Sequence, residues 1–379
     1  MTAPVYLDYN ATTPVAPEVL DAMLPYLRAH FGNPSSTHAY GRRAADAVAR
    51  ARSQVAALIS AQPEEIVFAG CATEANNLAL VGVASALAHA RRHLVISAVE
   101  HPAVMACAMR LRQQGWTVTA VPVDAFGRVH PDAVARALTS ETAIVSVMHS
   151  NNEVGTIQPI RDISLLTRER GILLHTDAAQ SAGKIPVDVE ELGVDLLTLA
   201  GHKFYAPKGV GALYVRAGTR LQAITFGAEQ EHGLRPGTEN VAGIVGLGAA
   251  AVLAREHTSL AHQQRTLRDA LHRQLAAAVP GLMLNGHPEH RLPNTLHVSF
   301  PGVSGRALLN AAGHAVAASV GSACHSEHDV VSGVLAAMGV DATRAAGAVR
   351  LSVGRMTTAD EVARAANALI AAWERLAFK

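Results

Sequence analysis

At 379 residues the chain can bury a large core and form two domains, and its 32 Lys and Arg against 31 Asp and Glu leave a net charge of +1. That balance, with no basic run interleaved with aromatics, argues against a nucleic-acid partner and points to small-molecule chemistry or protein partners. Three cysteines, Cys71, Cys107 and Cys324, are too few and too odd in number for a disulfide framework and fit a reducing compartment. The opening "MTAPVYLDYN" has no basic segment followed by an apolar one, and apolar runs such as "LALVGVASALA" are too short to span a bilayer, so the expectation is a soluble cytoplasmic protein with no membrane contact.

From residue 65 to about 216, short aliphatic runs alternate with helix-length segments: "EEIVFA", "HLVISA", "TVTAVPV", "AIVSVM", "ILLHTD", "LLTLA" and "GALYVR". Stretches such as 76–89 and 160–170 carry helical spacing between them. Continuous apolar strands with helices between them predict an α/β fold, a mostly parallel seven-stranded sheet covered on both faces. Beyond residue 258 the pattern changes. Segments 260–278 and 358–377 read as amphipathic helices and "NTLHVSF" and "AVRLSV" as strands, which predicts a smaller α+β domain on the C-terminal third.

Ligands bind at the carboxyl ends of strands in such sheets, and four of those loops are unusual. "GCATEANN" after the first strand offers small residues and Thr73 at a helix start, suited to a phosphate, although Thr73 and Glu74 could simply cap the helix. "VEHPAV" places His101 at another helix start, where a histidine is often structural. "TDAAQSAG" sets Asp177 and Gln180 at a strand end, with an N-cap aspartate as the plainer reading. "GHKFYAPKG" places Lys203 after an apolar strand and a glycine, an unusual setting for a surface lysine. A lysine for a Schiff base, an aspartate for a pyridinium nitrogen, a ring to stack and a small-residue phosphate cradle are together what pyridoxal phosphate requires.

Late in the chain, "ASVGSACHSEHD" puts Cys324 among small and polar residues, with His325 and His328 beyond it. A metal site there lacks a second cysteine pair and zinc spacing, which leaves a reactive nucleophile as the favoured alternative. Cys71 and Cys107 lie in helix-forming apolar contexts and are expected to be inert core residues.

These motifs, together with "YLDYNATTP", "FGNPSSTH", "SNNEVGTIQPI", "RPGTENVAGIVGLG" and "VRLSVGRMTT", run essentially end to end. The chain resembles the cysteine desulfurase and selenocysteine lyase family of pyridoxal-phosphate enzymes, with the aminotransferase class V pattern and fold-type I architecture. The resemblance implies a large cofactor-binding domain over residues 16–257 and a small domain of 1–15 and 258–379 carrying a nucleophile loop at about 318–332. It implies that Lys203 binds the cofactor covalently, Asp177 pairs with its ring nitrogen and Gln180 with its phenolic oxygen, while His101 stacks on the ring and moves protons. Ala72, Thr73, His202 and, from the opposite subunit, Thr238 would hold the phosphate. Arg355, Asn152 and Asn33 would bind the substrate, Asn152 serving the cofactor as well and the guanidinium acting as a bidentate clamp on the substrate carboxylate. Cys324 would attack the substrate sulfur and become a persulfide while alanine departs, and a homodimer with shared sites would pass the sulfur to an acceptor protein.

The family pattern is broken in places. Ala200 replaces a serine that often contacts the phosphate, and "GAEQEHG" sets Ala228, Glu229 and His232 in the dimer-shared loop. The Cys324 loop looks closer to selenocysteine lyases, whereas Pro102 after His101 does not, so both substrates stay open, with cysteine favoured. A non-catalytic sulfur- or metal-handling protein would have lost Lys203 or Asp177, and both are present. Another class V activity, a transaminase or a kynureninase-type lyase, would have no use for Cys324.

Overall fold

The computed structural model describes residues 3–256, 260–321 and 332–378. Among the described residues twelve strands appear in chain order: β1 Val5–Tyr6, β2 Ile66–Ala69, β3 His93–Ser97, β4 Thr117–Val121, β5 Thr142–Ser146, β6 Leu173–Asp177, β7 Leu196–Ala200, β8 Gly211–Val215, β9 Met283–Asn285, β10 Thr295–Ser299, β11 Val316–Ala317 and β12 Ala348–Ser352. The seven predicted from the aliphatic runs form one sheet in the order β2-β8-β7-β6-β5-β3-β4. Only β8 runs against its neighbours, pairing antiparallel with β2 and β7. The α/β expectation is therefore correct, with one local difference. β4 lies at the sheet edge and is covered only in part: Thr117 and Ala120 are exposed, while Val121 packs on one face and the half-buried Val118 on the other.

Alternation along each strand explains how both faces are filled. Ile66, Phe68, Val95, Val145, Leu197 and Leu199 point to one side, where the helices Ala39–Leu58 and Val241–Glu256 supply Val48, Val55, Leu247 and Ala250. Val67, Leu94, Ile96, Ile144 and Leu213 point to the other side, against Leu78 and Leu80 of the helix Ala72–Leu87 and Val104 and Leu111 of the helix Pro102–Gln113. Each of the valine, leucine, isoleucine and phenylalanine side chains among them contributes about 1.5–3 kcal/mol on burial.

The C-terminal third forms a second core. β9, β10 and β12 make an antiparallel sheet, and the helices Leu260–Ala278 and Ala359–Ala377 place Leu267, Leu271, Val362, Leu369 and Trp373 against Leu296, Val298 and Leu351. The second of these helices opens on a capping box between Thr358 and Glu361. Val5 and Leu7 join this cluster, and β1 pairs in parallel with β11. Among the described residues no helix is long and apolar enough to cross a membrane.

Candidate active site

Lys203, Asp177, His101 and the small residues before Ala72 all emerge at the carboxyl ends of strands in the large sheet. After β7 the chain makes a single 3₁₀ turn, Gly201–Lys203. A side chain at Gly201 would come within 2.9 Å of the Val210 carbonyl and 3.0 Å of Leu247, so only glycine lets the turn pack down and project Lys203 forward. Lys203 Nζ donates to the backbone carbonyls of Asn10 at 2.7 Å and Ala11 at 2.8 Å.

One strand away, Asp177 ends β6 and is 5 % exposed. Its Oδ2 accepts from Asn76 Nδ2 at 2.7 Å and its Oδ1 from the Ala179 amide at 2.9 Å. Among the described residues no lysine or arginine forms an ion pair with it. A buried carboxylate held by neutral donors alone is poorly compensated, and a protonated ring nitrogen is a partner of the right charge and shape. This chemistry fits pyridoxal phosphate.

His101 is the N-cap of the helix Pro102–Gln113, with Nδ1 accepting from the Ala103 amide at 3.1 Å, which assigns the neutral ring's proton to Nε2. Burial lowers its pKa below the ordinary 6.5; nearby Asp177 opposes that shift and Lys203 adds to it. Asp177 and Lys203 thus act on the His101 ring in opposite senses, and burial favours its neutral form.

Behind His101 lies a residue whose signal was missed in "VEHPAV". Glu100 is buried, with Oε1 accepting from Ser97 Oγ and from the Met148 amide, at 2.8 Å for the latter, while Oε2 has no hydrogen-bond partner among the described residues. Burial pushes its pKa up from 4.5 to about 8, with a smaller push from Asp177. In the unfolded chain the group loses its proton near 4.5, and in the fold only near 8, so the wild type loses stability as pH rises between those values. Glu100→Gln keeps the acceptor Oε1 and cannot ionise. Thermal unfolding is expected to show the variant gaining on the wild type between about pH 5 and 8, by on the order of a few kcal/mol. An equal difference at both pH values would show that Glu100 does not titrate in this way.

Asn10, from "YLDYNATTP", is the second missed residue and joins the two ends of the chain. Its Nδ2 donates to Thr295 Oγ1 at 2.9 Å and its amide to Ser352 Oγ at 3.0 Å, while its carbonyl accepts from Gln180 Nε2 at 3.0 Å as well as from Lys203. Gln180 Oε1 in turn accepts from Lys184 Nζ at 2.7 Å. His202 sits against Thr12, Nδ1 to Oγ1 at 3.1 Å, and burial, then Lys203, Lys208 and Lys184, drive its pKa to about 4.

At the start of the helix Ala72–Leu87, the backbone of Ala72 and Thr73 lies in the first turn, where a helix favours anions. A side chain at Gly211 would come within 3.2 Å of the Ala72 nitrogen, so β8 lies tight against this cradle. Glu74 shares the turn, accepting from the Gly70 amide at 3.0 Å and pairing with Arg235 at 2.9 Å. Cys71 is exposed here as the N-cap rather than buried, because the strand ends two residues before it. Cys107 is buried as expected, and burial raises its thiol to about 11.

Other residues are less closely gathered. The Asn152 carbonyl accepts from Asn10 Nδ2 at 3.3 Å and Arg350 at 2.9 Å. Arg355 donates its amide to Tyr205 OH at 2.6 Å and turns its guanidinium to Glu18, at 2.8 and 3.4 Å. Asn33 closes a local turn, accepting from the Ser35 amide at 2.9 Å, and is exposed. Thr238 is also exposed and makes no hydrogen bond within the chain among the described residues. Its loop is anchored at Glu231, whose carboxylate pairs with Arg52 and accepts from the Phe68 amide at 2.7 Å, with Glu231 and His232 at positive φ. Ala200 is buried at the end of β7. Cys324 lies outside the described residues.

Comparisons with known proteins agree with this geometry. The family model for aminotransferase class-V matches residues 5–365. A cysteine desulfurase of Trichormus azollae is 45 % identical over 98 % of this chain and 93 % of its own. Cysteine desulfurase IscS of Dictyoglomus turgidum is 45 % identical over 96 % and 92 %. Among solved structures, a NifS-like protein superposes with a TM-score of 0.92 at 38 % identity, covering 99 % of this chain and all of its own. SspA in complex with cysteine gives 0.83 at 36 %, covering 93 % and 99 %. The chain belongs to the aminotransferase class-V family and, within it, to the group of the cysteine desulfurases.

Proposed function

We propose that the protein is a pyridoxal-phosphate-dependent cysteine desulfurase, releasing alanine from L-cysteine and holding the sulfur as a persulfide on Cys324. The observation that carries the cofactor is the buried Asp177 carboxylate, held by Asn76 and Ala179 one strand from Lys203. When bound, the cofactor supplies an electron sink for bonds breaking at the substrate's α-carbon.

The chain's own residues do the rest. Lys203 anchors the cofactor, Asp177 faces its ring nitrogen, Gln180 donates to its phenolic oxygen, and His101, kept neutral by burial, moves a proton at Nε2. Ala72, Thr73 and His202 hold the phosphate, joined by Thr238 from a second subunit. Arg355, Asn152 and Asn33 bind the substrate; for Arg355 this means exchanging Glu18 for the substrate carboxylate. The Cys324 thiolate forms a bond to the substrate sulfur as the carbon–sulfur bond breaks, and the carbon left behind takes up a proton to leave as alanine. An acceptor protein, in the cytoplasm, then takes the sulfur.

We also take residues 16–257 as the cofactor domain and 1–15 with 258–379 as the small one, a division supported by the way Val5 and Leu7 pack with the C-terminal third. The experiment that tests the substrate is alanine release from L-cysteine against L-selenocysteine, with mass analysis of the Cys324 peptide after cysteine alone. Alanine from cysteine and one added sulfur on that peptide are expected. Release from selenocysteine only would transfer the reading to a selenocysteine lyase on the same fold.

A further inference from the structure

The functional reading leaves Lys184, in the segment "HTDAAQSAGK", without a task. It lies in the turns after β6, is 8 % exposed, and has no carboxylate partner among the described residues. Its Nζ donates to Gln180 Oε1 at 2.7 Å and Asn10 Oδ1 at 3.0 Å. A lysine buried without a counter-ion is costly, and burial, then Lys203 and Arg350, hold its pKa well below the ordinary value.

We propose that Lys184 is a positioning residue, whose Nζ fixes the side-chain amides of Gln180 and Asn10 so that both serve the lysine that binds the cofactor. The oxygen and nitrogen of an amide are nearly the same size, so only its partners decide which way it faces. With Gln180 Oε1 taken by Lys184, Nε2 is turned away from it and gives one hydrogen to the Asn10 carbonyl at 3.0 Å. Its second hydrogen is the one available to a phenolic oxygen. Asn10 is fixed likewise: Oδ1 accepts from Lys184 and from Asn294 Nδ2 at 2.9 Å, which leaves Nδ2 for Thr295. The carbonyl of that same residue meets Lys203 Nζ. One buried amine therefore sets both side chains, and Gln180 and Lys203 meet at the Asn10 carbonyl. The charged groups that act on it are Lys203 and Arg350, the latter paired with Asp8 at 2.7 Å, and it acts in turn on His202.

This inference rests on Lys203 carrying pyridoxal phosphate, and its test separates the two ideas. Visible spectra of the purified holoenzyme would be titrated over about pH 5 to 10 for the wild type, Lys184→Met, Lys184→Gln, Gln180→Leu and the Lys184→Met, Gln180→Leu double variant, alongside cofactor dissociation constants. Without the Lys184 donor the Gln180 amide can reverse, the phenolic oxygen's negative charge loses its donor, and the nitrogen of Lys203 holds its proton more tightly. The midpoint in Lys184→Met is expected to rise by about one pH unit, a tenfold change in proton affinity, with cofactor binding weakened about fivefold. Lys184→Gln is one bond shorter and can reach only one acceptor, so about half that shift is expected; it decides the matter alone if the methionine variant does not fold. Because the effect runs through Gln180, the double variant should match Gln180→Leu instead of summing the two shifts. An unmoved midpoint in a folded Lys184 variant, or additive shifts, overturns the role of Lys184. A wild type with no visible band removes the cofactor reading and this inference with it.

Discussion

Replacing Lys203 with alanine is expected to reduce alanine release from cysteine by about 10⁴-fold or more, the scale found when the covalent group of an enzyme is removed. The fold should survive the change, because the hydrogen bonds Lys203 makes to the Asn10 and Ala11 carbonyls are made from a half-buried position where water can replace it. The expected stability change is within about 1.5 kcal/mol. In the wild type, borohydride reduction should bleach the visible band and leave the cofactor's mass on the peptide containing Lys203. Lys184 makes this a demanding test, since it too is a buried lysine with a lowered pKa a few ångströms from Gln180. An adduct on Lys184, or substantial turnover in Lys203→Ala, would overturn the assignment. Asp177→Asn should be nearly as damaging, because a neutral amide cannot hold the ring nitrogen in its protonated form.

Cys324→Ala is expected to eliminate alanine formation from cysteine while leaving part of any activity on selenocysteine. Carbon–sulfur cleavage of this kind needs a nucleophile to take the sulfur, whereas selenium leaves more readily from its weaker bond to carbon. The other two thiols serve as internal controls of different kinds. Burial raises Cys107 to about 11, so it has almost no thiolate at neutral pH. Cys71 is exposed, so its silence would be informative. After cysteine is added without reductant, the extra sulfur should map to the Cys324 peptide. Mapping to Cys71, or cysteine turnover that survives Cys324→Ala, would sink the persulfide mechanism.

Much of the architecture was legible because it depends on local pattern. The aliphatic runs name all seven strands of the large sheet, and the loops after four of them hold the residues with unusual chemistry. The pattern could not show that β4 would be an edge, since "TVTAVPV" is as apolar as its neighbours and position in the sheet is a long-range outcome. Cys71 was misplaced for a related reason: a helix-forming apolar context reads as core, yet the residue caps a helix at a strand end and is exposed. Asn10, Lys184 and Glu100 were visible inside quoted motifs but had no assigned purpose. Each has a partner that no spacing rule reports: Ser352 for Asn10, 342 residues away, Asn10 for Lys184, 174 away, and the Met148 amide for Glu100, 48 away. A charged residue predicted at a buried turn is the one signal that could have singled out Lys184 and Glu100.

The place of Asn10 bears on how the protein matures during synthesis. Its side chain and amide are held by Asn294, Thr295 and Ser352, at sequence separations of 284, 285 and 342. A nascent chain leaves the ribosome N-terminus first, so the segment that meets Lys203 is made early and must wait for nearly the whole polypeptide before it can be fixed. The large sheet and its lysine can assemble in that interval, but the carbonyls that contact Lys203 cannot be locked in place until β12 has emerged. Completion of the site is thereby tied to completion of the chain, and a truncated translation product would carry the lysine without its supporting frame.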